Sequence, residues 1–201
     1  LLRRALAFAK ERGARVVGLD ATPEARPLYE AEGFRPAWGE SALWTRAPDA
    51  PRGGPPRSPS GEHAIYPVSP AEIMELVQYD APRFGAGRGR YLAALMGERP
   101  HQAFVAVHRK TGAFAGHALA HEGRVGPLVA DTPAAAEWLL HALGSAGAAP
   151  RAIVPAWNAD AERVFAAAGY AKGRPHVRMA LGGPLPGRPE TAYALGAWAL
   201  G

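Results

Sequence analysis

The chain of 201 residues contains no cysteine and, despite its basic character, only three lysines and one asparagine. Without cysteine it forms no disulfide, presents no thiolate nucleophile and binds no zinc through sulfur. It also has no uninterrupted run of about 18 apolar residues, the length that spans a bilayer as a helix. Its first residues lack the layout of a secretory signal peptide. These absences predict a cytoplasmic protein with no membrane partner.

Almost all of the positive charge comes from arginine. The formal net charge is +5, and 48% of the residues are hydrophobic. A basic protein can bind nucleic acid, but these arginines are scattered singly, and the richness in alanine, glycine and proline is typical of GC-biased codons. We therefore predict no nucleic-acid partner, although a basic surface attracts an anionic nucleotide or coenzyme.

A proline- and glycine-rich segment divides the chain. Residues 47–62 contain five prolines and three glycines, a composition that stays extended and packs no core. We interpret them as a linker between residues 1–46 and residues 63–201. The first part begins within a predicted helix, and its strands are too few for a complete sheet.

Residues 63–201 predict a fuller set of elements. Ser69 and Glu72 have the spacing of a capping box that opens a helix. Three strands between residues 103 and 130 are separated by turns short enough for an antiparallel meander. Helices near residues 133–143 and 158–168 and strands near 151–156, 175–181 and 191–198 complete the order βααβββαβαββ.

One seven-residue phrase closes a helix in both parts of the chain. Residues 28–34 and 164–170 each place an aromatic residue four positions before a glycine and another directly after it. Glycine suits the left-handed conformation that ends a helix, and the second aromatic residue can fold back on the last turn. The two copies indicate a duplicated unit whose first copy lacks its front.

These patterns resemble GNAT acetyltransferases. The element order, the repeated phrase and residues 19–30 carry the resemblance, and residues 80–88, 125–129 and 193–196 are similar to the divergent second domain of tandem GNAT proteins. The resemblance implies an α/β (α+β) fold, a mixed central sheet of about six or seven strands flanked by helices and preceded by a partial copy of the same fold. Residues 1–46 would be the C-terminal part of an N-terminally truncated first GNAT domain, and residues 63–201 the second domain.

The resemblance implies acetyl transfer from acetyl-CoA, a co-substrate, to a primary amine of a small molecule or protein, without a metal. This chemistry needs a deprotonated amine, a donor to the oxyanion and an acid for the departing thiolate. Similar enzymes place a tyrosine four residues before the helix-ending glycine as that acid, which assigns catalysis to Tyr29. The alternative is that Tyr29 only packs under its helix. The family's phosphate-binding loop would lie before Leu1.

Residues 63–201 carry the opposite set of parts. By resemblance, residues 124–130 form the cofactor-pairing strand, and Asn158 stands where similar enzymes contact the pantetheine arm. Where the family has its phosphate loop, this sequence has an aspartate, which repels a pyrophosphate, and alanines, whose methyl groups hinder close approach. Phe165 replaces the tyrosine and has no proton to give. The residues assigned to cofactor binding are Leu128, Val129, Ala130 and Asn158, and the phosphate-loop positions are Asp131, Ala134 and Ala136.

Asp80, Arg88 and His117 are predicted to line the substrate cleft, as the resemblance suggests. The alternative for Asp80 and Arg88 is a salt bridge that holds the connection between two helices. His117 shares a strand face with His121, which suits a metal pair or a general base, but no third ligand is evident. For Asn158, the alternative is a helix N-cap with no further role.

Two functions remain open. The chain is a fragment of an N-acetyltransferase whose catalysis belongs to the first domain, or it is a non-catalytic GNAT-like module that binds a ligand or serves as a scaffold. We adopt the first reading; the second rests on the degenerate phosphate loop and on Phe165. In either case, the apolar faces of residues 1–46 are expected to dock on residues 63–201 or to pair with another chain, as in a homodimer.

Overall fold

The computed structural model describes residues 1–47, 60–98, 102–147 and 150–198. Most of the predicted linker lies outside these ranges. Within them the helices are α1 (Leu2–Glu11), α2 (Arg26–Ala31), α3 (Ile73–Phe84), α4 (Gly89–Glu98), α5 (Pro133–Ser145) and α6 (Ala159–Ala167). The strands are β1 (Val17–Ala21), β2 (Arg35–Arg46), β3 (His63–Pro67), β4 (Ala103–His108), β5 (Phe114–His121), β6 (Arg124–Ala130), β7 (Arg151–Pro155), β8 (Tyr170–Leu181) and β9 (Ala192–Ala194).

The strands listed above belong to one mixed sheet. Their order is β1-β8-β2-β7-β6-β5-β4-β3, with β9 beside β6. Only β6 and β7 run parallel, and the other paired strands are antiparallel. The predicted α/β class with a helix-flanked central sheet is confirmed. The sheet is wider than six or seven strands because β1 and β2, from residues 1–46, join it.

The two copies of the repeat interleave their strands. The first copy is β1, α2 and β2, and the second is β7, α6 and β8. Strand β2 lies between β7 and β8, while β8 lies between β1 and β2. The long pairing of β2 with β8 runs from Arg35 opposite Ala180 to Arg46 opposite Tyr170. Residues 1–46 therefore dock on the rest of the chain, as expected. They do so by placing β2 between two strands of the second copy and by taking β8 between two strands of the first.

The repeated phrase ends each helix as predicted. Gly33 and Gly169 have φ of 93° and 84°, the left-handed values that glycine adopts without strain. After each glycine the chain turns back, so that Phe34 packs edge-on against Tyr29 and Tyr170 against Phe165, at ring distances of 5.8 Å and 5.1 Å. Both helices are thereby fixed to the strand that follows them.

Three apolar clusters hold the helices on the sheet. Helices α5 and α6 cover one face at β4 to β7, and Ala42 and Trp44 of β2 belong to that cluster. Helices α3 and α4 cover β4 and β5 from the other side. Helices α1 and α2 lie over β1 and β8, around the buried Phe34 and Met179. Residues 1–46 therefore contribute to two of the three clusters.

A buried ion pair also joins the two parts of the chain. Arg178 of β8 donates to the carboxylate of Asp20 in β1 at 2.5 Å, and Ser41 Oγ of β2 donates to the same carboxylate at 2.8 Å. The two ionised side chains are almost fully buried. Removing either one would leave a charge without its counter-charge in the interior.

The sequence-based boundaries were wrong at two strands. Strand β8 begins at Tyr170 instead of residue 175, and the last strand is limited to Ala192–Ala194 instead of residues 191–198. The added part of β8 contains exposed charged residues, and it forms a strand because it pairs with β2, more than 100 positions earlier. A local hydrophobic pattern carries no information on such a partner.

Candidate functional site

Strands β6 and β7 run side by side only at their beginnings. Arg124 lies opposite Arg151, and Val125 opposite Ala152. Beyond these pairs the two strands diverge. An opening between parallel strands exposes backbone donors and acceptors that a bound ligand or another strand must satisfy.

The C-terminal segment of the chain lies in this opening. Ala194 and Ala192 of β9 pair with Leu128 and Val129 of β6. On the other side, Leu195 N–H donates to the Ile153 carbonyl of β7 at 2.9 Å. Along this edge of β6, Leu128 and Val129, two of the residues predicted to bind the cofactor, are therefore paired with the protein's own chain. Ala130, the third, is buried at the end of the same strand.

Asn158 fastens β9 at its start. Its Oδ1 accepts from the backbone N–H groups of Asp160 and Ala161, as an N-cap of α6. Its Nδ2 donates to the carbonyls of Glu190 and Ala192, at 2.8 Å and 3.0 Å. The cap that sequence analysis offered as an alternative is present. The link to the C-terminal segment was missed, because no local pattern signals a partner 32 residues away.

Two glycines make room for the C-terminal segment. A Cβ on Gly126, which has φ of 139°, would lie 2.2 Å from the Leu195 carbonyl oxygen. A Cβ on Gly85, with φ of 90°, would lie 2.4 Å from the Pro186 carbonyl. The backbone of Arg188 also donates to the Arg83 carbonyl at 2.8 Å. The segment is therefore seated both on β6 and on the α3–α4 connection.

The N-terminus of α5 lies where the resemblance places the phosphate loop. Thr132 Oγ1 accepts from Ala135 N–H at 3.2 Å, which caps the helix. The Asp131 carboxylate binds the Arg83 guanidinium through two hydrogen bonds of 2.8 Å. The side chain of Ala136 is buried. These residues do not fit a pyrophosphate group, because the helix end is capped and a carboxylate already holds the adjacent arginine.

The predicted substrate residues Asp80, Arg88 and His117 meet in one buried network. Asp80 Oδ1 lies 2.8 Å from His117 Nε2. Arg88 donates to both carboxylate oxygens of Asp80, each at 2.8 Å. The salt bridge offered as an alternative for Asp80 and Arg88 is present, and the exposed fractions of the three side chains are 8% or less. A role in substrate binding stays a prediction for all three.

The network sets the ionisation of Asp80. Burial by itself would raise the pKa of this carboxyl, but the hydrogen bonds from Arg88 and His117 and the positive charge beside it outweigh burial. The pKa of Asp80 is therefore held well below its ordinary value, and the group is a buried carboxylate at neutral pH. His121 Nε2 lies 3.7 Å from the Glu122 carboxylate.

Burial raises the pKa of two tyrosines, one in α3 and one in β9. It raises the pKa of Tyr79, and the Asp131 carboxylate adds to this effect. It likewise raises the pKa of Tyr193 in β9, with a contribution from Asp160. Both hydroxyls therefore stay protonated at neutral pH.

Tyr29, the predicted catalytic residue, lies apart from the Asp80 network. It is half-buried on α2, in the cluster that covers β1 and β8, whereas Asp80 contacts β5. Strands β2, β7 and β6 lie between these parts of the sheet. The predicted acid and the predicted substrate residues are thus not brought together.

The described residues contain no group of three or more metal-ligating side chains from His, Asp and Glu. Within the same part of the chain, no helix has the length and apolarity to cross a membrane. The homodimer and the absence of a nucleic-acid partner stay predictions of the sequence.

A mixed sheet in which two parallel strands splay between antiparallel neighbours, with helices on both faces, defines the GNAT class of folds. Residues 76–194 match the model of the family described as acetyltransferase (GNAT) domain. The chain belongs to this family.

Solved structures share the fold at low sequence identity. An acetyltransferase candidate from Pyrococcus horikoshii is 24% identical, with a TM-score of 0.77 over 100% of this chain and 64% of its own. A GCN5-related N-acetyltransferase from Sphaerobacter thermophilus is 16% identical, with a TM-score of 0.58 over 83% of this chain and 59% of its own. A tandem GNAT protein of clavulanic acid biosynthesis is 16% identical, with a TM-score of 0.50 over 90% and 70%. No curated protein sequence matches.

These relatives are longer than the chain, which spans 64% and 59% of the first two. At such identities the likeness shows the fold. The division into domains stays a prediction.

Replacing Asp80 with asparagine should lower the free energy of unfolding at pH 7 by about 3 kcal/mol, because the buried ion pair with Arg88 would be broken. The folded pKa of Asp80 lies below its unfolded value. Its contribution is therefore complete above about pH 4 and is lost as the pH falls toward the folded pKa. Urea denaturation at pH 7, 4 and 3 should show the difference from the parent shrinking with acid.

The matched control for this substitution is Asp160→Asn, because the Asp160 pair with Arg163 is exposed. Its free energy of unfolding should change by less than about 1 kcal/mol. An Asp80→Asn variant as stable as the parent at pH 7 contradicts the network.

Asn158→Asp separates the two roles of Asn158. A carboxylate keeps the cap on α6, but it has no N–H to donate and would face the carbonyls of Glu190 and Ala192. Hydrogen exchange at the Leu195 amide should accelerate at least about tenfold, while exchange in α6 changes little. Ser69→Asp, at a cap with no link to β9, is the control. Unchanged exchange at Leu195 would show that Asn158 does not fasten the segment.

Proposed function

We propose that the protein acts as an N-acetyltransferase, moving the acetyl group of acetyl-CoA to a primary amine of a small molecule or protein. Membership of the GNAT family supports the transferase class. We further propose that residues 63–201 bind no coenzyme. The observation that carries this second proposal is the position of β9, which lies in the opening between β6 and β7.

In the second copy, the protein's own residues occupy the positions that a coenzyme would use. The pairing edge of β6 is used by β9, and the end of α5 is capped by Thr132. Phe165 is fully buried and packs on Tyr170, so the position that would supply an acid holds a core side chain. A coenzyme would have to displace the pairing of β9 with β6 and the hydrogen bonds from Asn158 to Glu190 and Ala192, a cost that low-affinity binding does not offset. Residues 63–201 instead complete the sheet around β1 and β2.

Tyr29 is the proton donor in this proposal. It stands four residues before Gly33 on a short helix, and its ring is only half-buried, unlike that of Phe165. Coenzyme A supplies the thioester and the thiolate leaving group. The amine nitrogen forms a bond to the acetyl carbon as the carbon–sulfur bond breaks, and the Tyr29 hydroxyl gives its proton to the departing sulfur, which leaves a neutral thiol. The nitrogen releases one proton to solvent, and the Tyr29 phenolate regains one from solvent.

The alternative is a non-catalytic module that binds a ligand or serves as a scaffold. The filled opening and the buried Phe165 favour it for residues 63–201. The non-catalytic alternative applies to the whole chain only if Tyr29 serves in packing alone, through its edge-on contact with Phe34.

Release of free thiol from acetyl-CoA, measured with a panel of primary amines, tests the proposal. The chain has no cysteine, so a thiol reagent reports coenzyme release alone. Tyr29→Phe should lower turnover about 100-fold, the usual scale for loss of a general acid, with coenzyme affinity within about twofold of the parent.

Tyr66→Phe, at an exposed tyrosine of β3, is the control and should leave turnover unchanged. Full turnover in Tyr29→Phe would remove Tyr29 from the mechanism. Absence of thiol release by the parent with every amine would favour the non-catalytic alternative.

A further inference from the structure

A cleft of about 500 Å³ lies at the end of the sheet where β2 begins and β8 ends. Residues 33 and 35–38 of the first copy form one wall, and residues 180 and 182–185 of the second copy form the other. Neither copy makes the cleft alone. Its volume is within the range of sites for small molecules, about 300 to 1,000 Å³.

Trp38 lines the cleft in a strained conformation. Its φ is 59°, in the left-handed region that a bulky side chain rarely adopts, at a cost of about 1 to 3 kcal/mol. The register of β2 against β8 shifts between Pro36 and Glu40, around this residue. Glycine would take the same conformation without strain. The indole ring is held by its neighbours, because it packs on Trp157 at a ring distance of 5.7 Å and the Arg178 guanidinium lies 5.9 Å from its centre. The same side chain also lines the cleft.

Arg35 supplies a positioned charge. Its Nη1 donates to the carbonyls of Glu30 and Phe34, at 3.3 Å and 2.8 Å, which fixes the guanidinium at the end of α2. No ion pair to Arg35 is found among the described residues. Its Nε–Nη2 edge takes part in neither of these two bonds, and this edge of a guanidinium binds a carboxylate through two parallel hydrogen bonds.

The remaining walls are mostly apolar. Pro36, Pro184 and Leu185 contribute side chains. Leu185 is held close to the sheet because Gly18 has no side chain: a Cβ there would lie 2.9 Å from Leu185 Cδ2. The neighbouring Arg178 is matched by Asp20. Arg35 is therefore the charge that a ligand of this cleft would meet, and it selects an anion.

We propose that the cleft binds a small aromatic carboxylate, with its ring against Trp38 and its carboxylate on Arg35. The charge complementarity with Arg35 and the indole in the cleft wall carry this assignment. The site lies at the junction of the two copies and does not depend on acetyl transfer, so it stands or fails independently of the proposed function.

Three probes of similar shape test the assignment: phenylacetate, phenylacetamide and phenethylamine. Calorimetry should show saturable one-to-one binding of phenylacetate, and NMR should place the largest amide shifts at Gly182 and Gly183. Phenylacetamide should bind at least about tenfold more weakly, because it lacks the charge-assisted pair of hydrogen bonds. Phenethylamine should not bind. Equal binding of the three probes, absence of saturable binding or shifts confined to other residues would overturn the proposal.

Variants locate the contacts. Arg35→Gln should abolish the preference for phenylacetate over the amide, while Arg109→Gln, at an exposed arginine of the β4–β5 turn, should not. Trp38→Gly should weaken phenylacetate at least about tenfold with little change in the midpoint of thermal unfolding, since relief of the strained φ offsets the lost packing. Unchanged affinity in both site variants contradicts the assignment.

A peptide ending in phenylalanine carries the same two groups, an aromatic ring and a carboxylate. If this peptide binds more tightly than phenylacetate, the ligand is a peptide C-terminus and the assignment to a small carboxylate is overturned.

Discussion

The pairing of β2 with β8 is the interaction on which the rest of the structure depends. Each strand is 12 residues long, and each separates two strands of the other copy. Without β2, the backbone groups of β7 and β8 on that side would lose their partners, and the large core cluster would lose Ala42 and Trp44. The buried pair of Asp20 and Arg178 adds a contact that neither part of the chain can satisfy alone.

The interleaving of β2 and β8 also determines which strand edges and concave surfaces remain for a ligand. Because β2 occupies one edge of β7, the backbone groups on its other edge face the opening toward β6, where Leu195, directly after β9, donates to the Ile153 carbonyl. Asn158 then joins the cap of α6 to the start of β9. The opening between β6 and β7 is thus filled by residues 192–195. The interleaving also creates a concave surface where β2 begins and β8 ends. There, Trp38 and Arg35 face the loop after β8.

The locally encoded features were predictable from sequence. The capping box at Ser69, the two helix-ending glycines and the meander of β4 to β6 all form as expected, because each depends on residues within a few positions. The salt bridge of Asp80 with Arg88 was also predicted from the sequence, as an alternative to a role in substrate binding. The interleaving of β2 and β8, the place of β9 and the conformation of Trp38 were not, since each is decided by a partner distant in the chain or by a register shift that leaves no periodic pattern.

Native-state hydrogen exchange in strand β2 tests the central claim, that residues 1–46 and residues 63–201 share one cooperative sheet. The amides of Ala42 and Trp44 should exchange only through global unfolding, with the same opening free energy as Val154 in β7 and the same dependence on denaturant. An opening free energy for the β2 amides several kcal/mol below that of β7, with a small dependence on denaturant, would mean that residues 1–46 detach while the rest stays folded. That result would contradict the account.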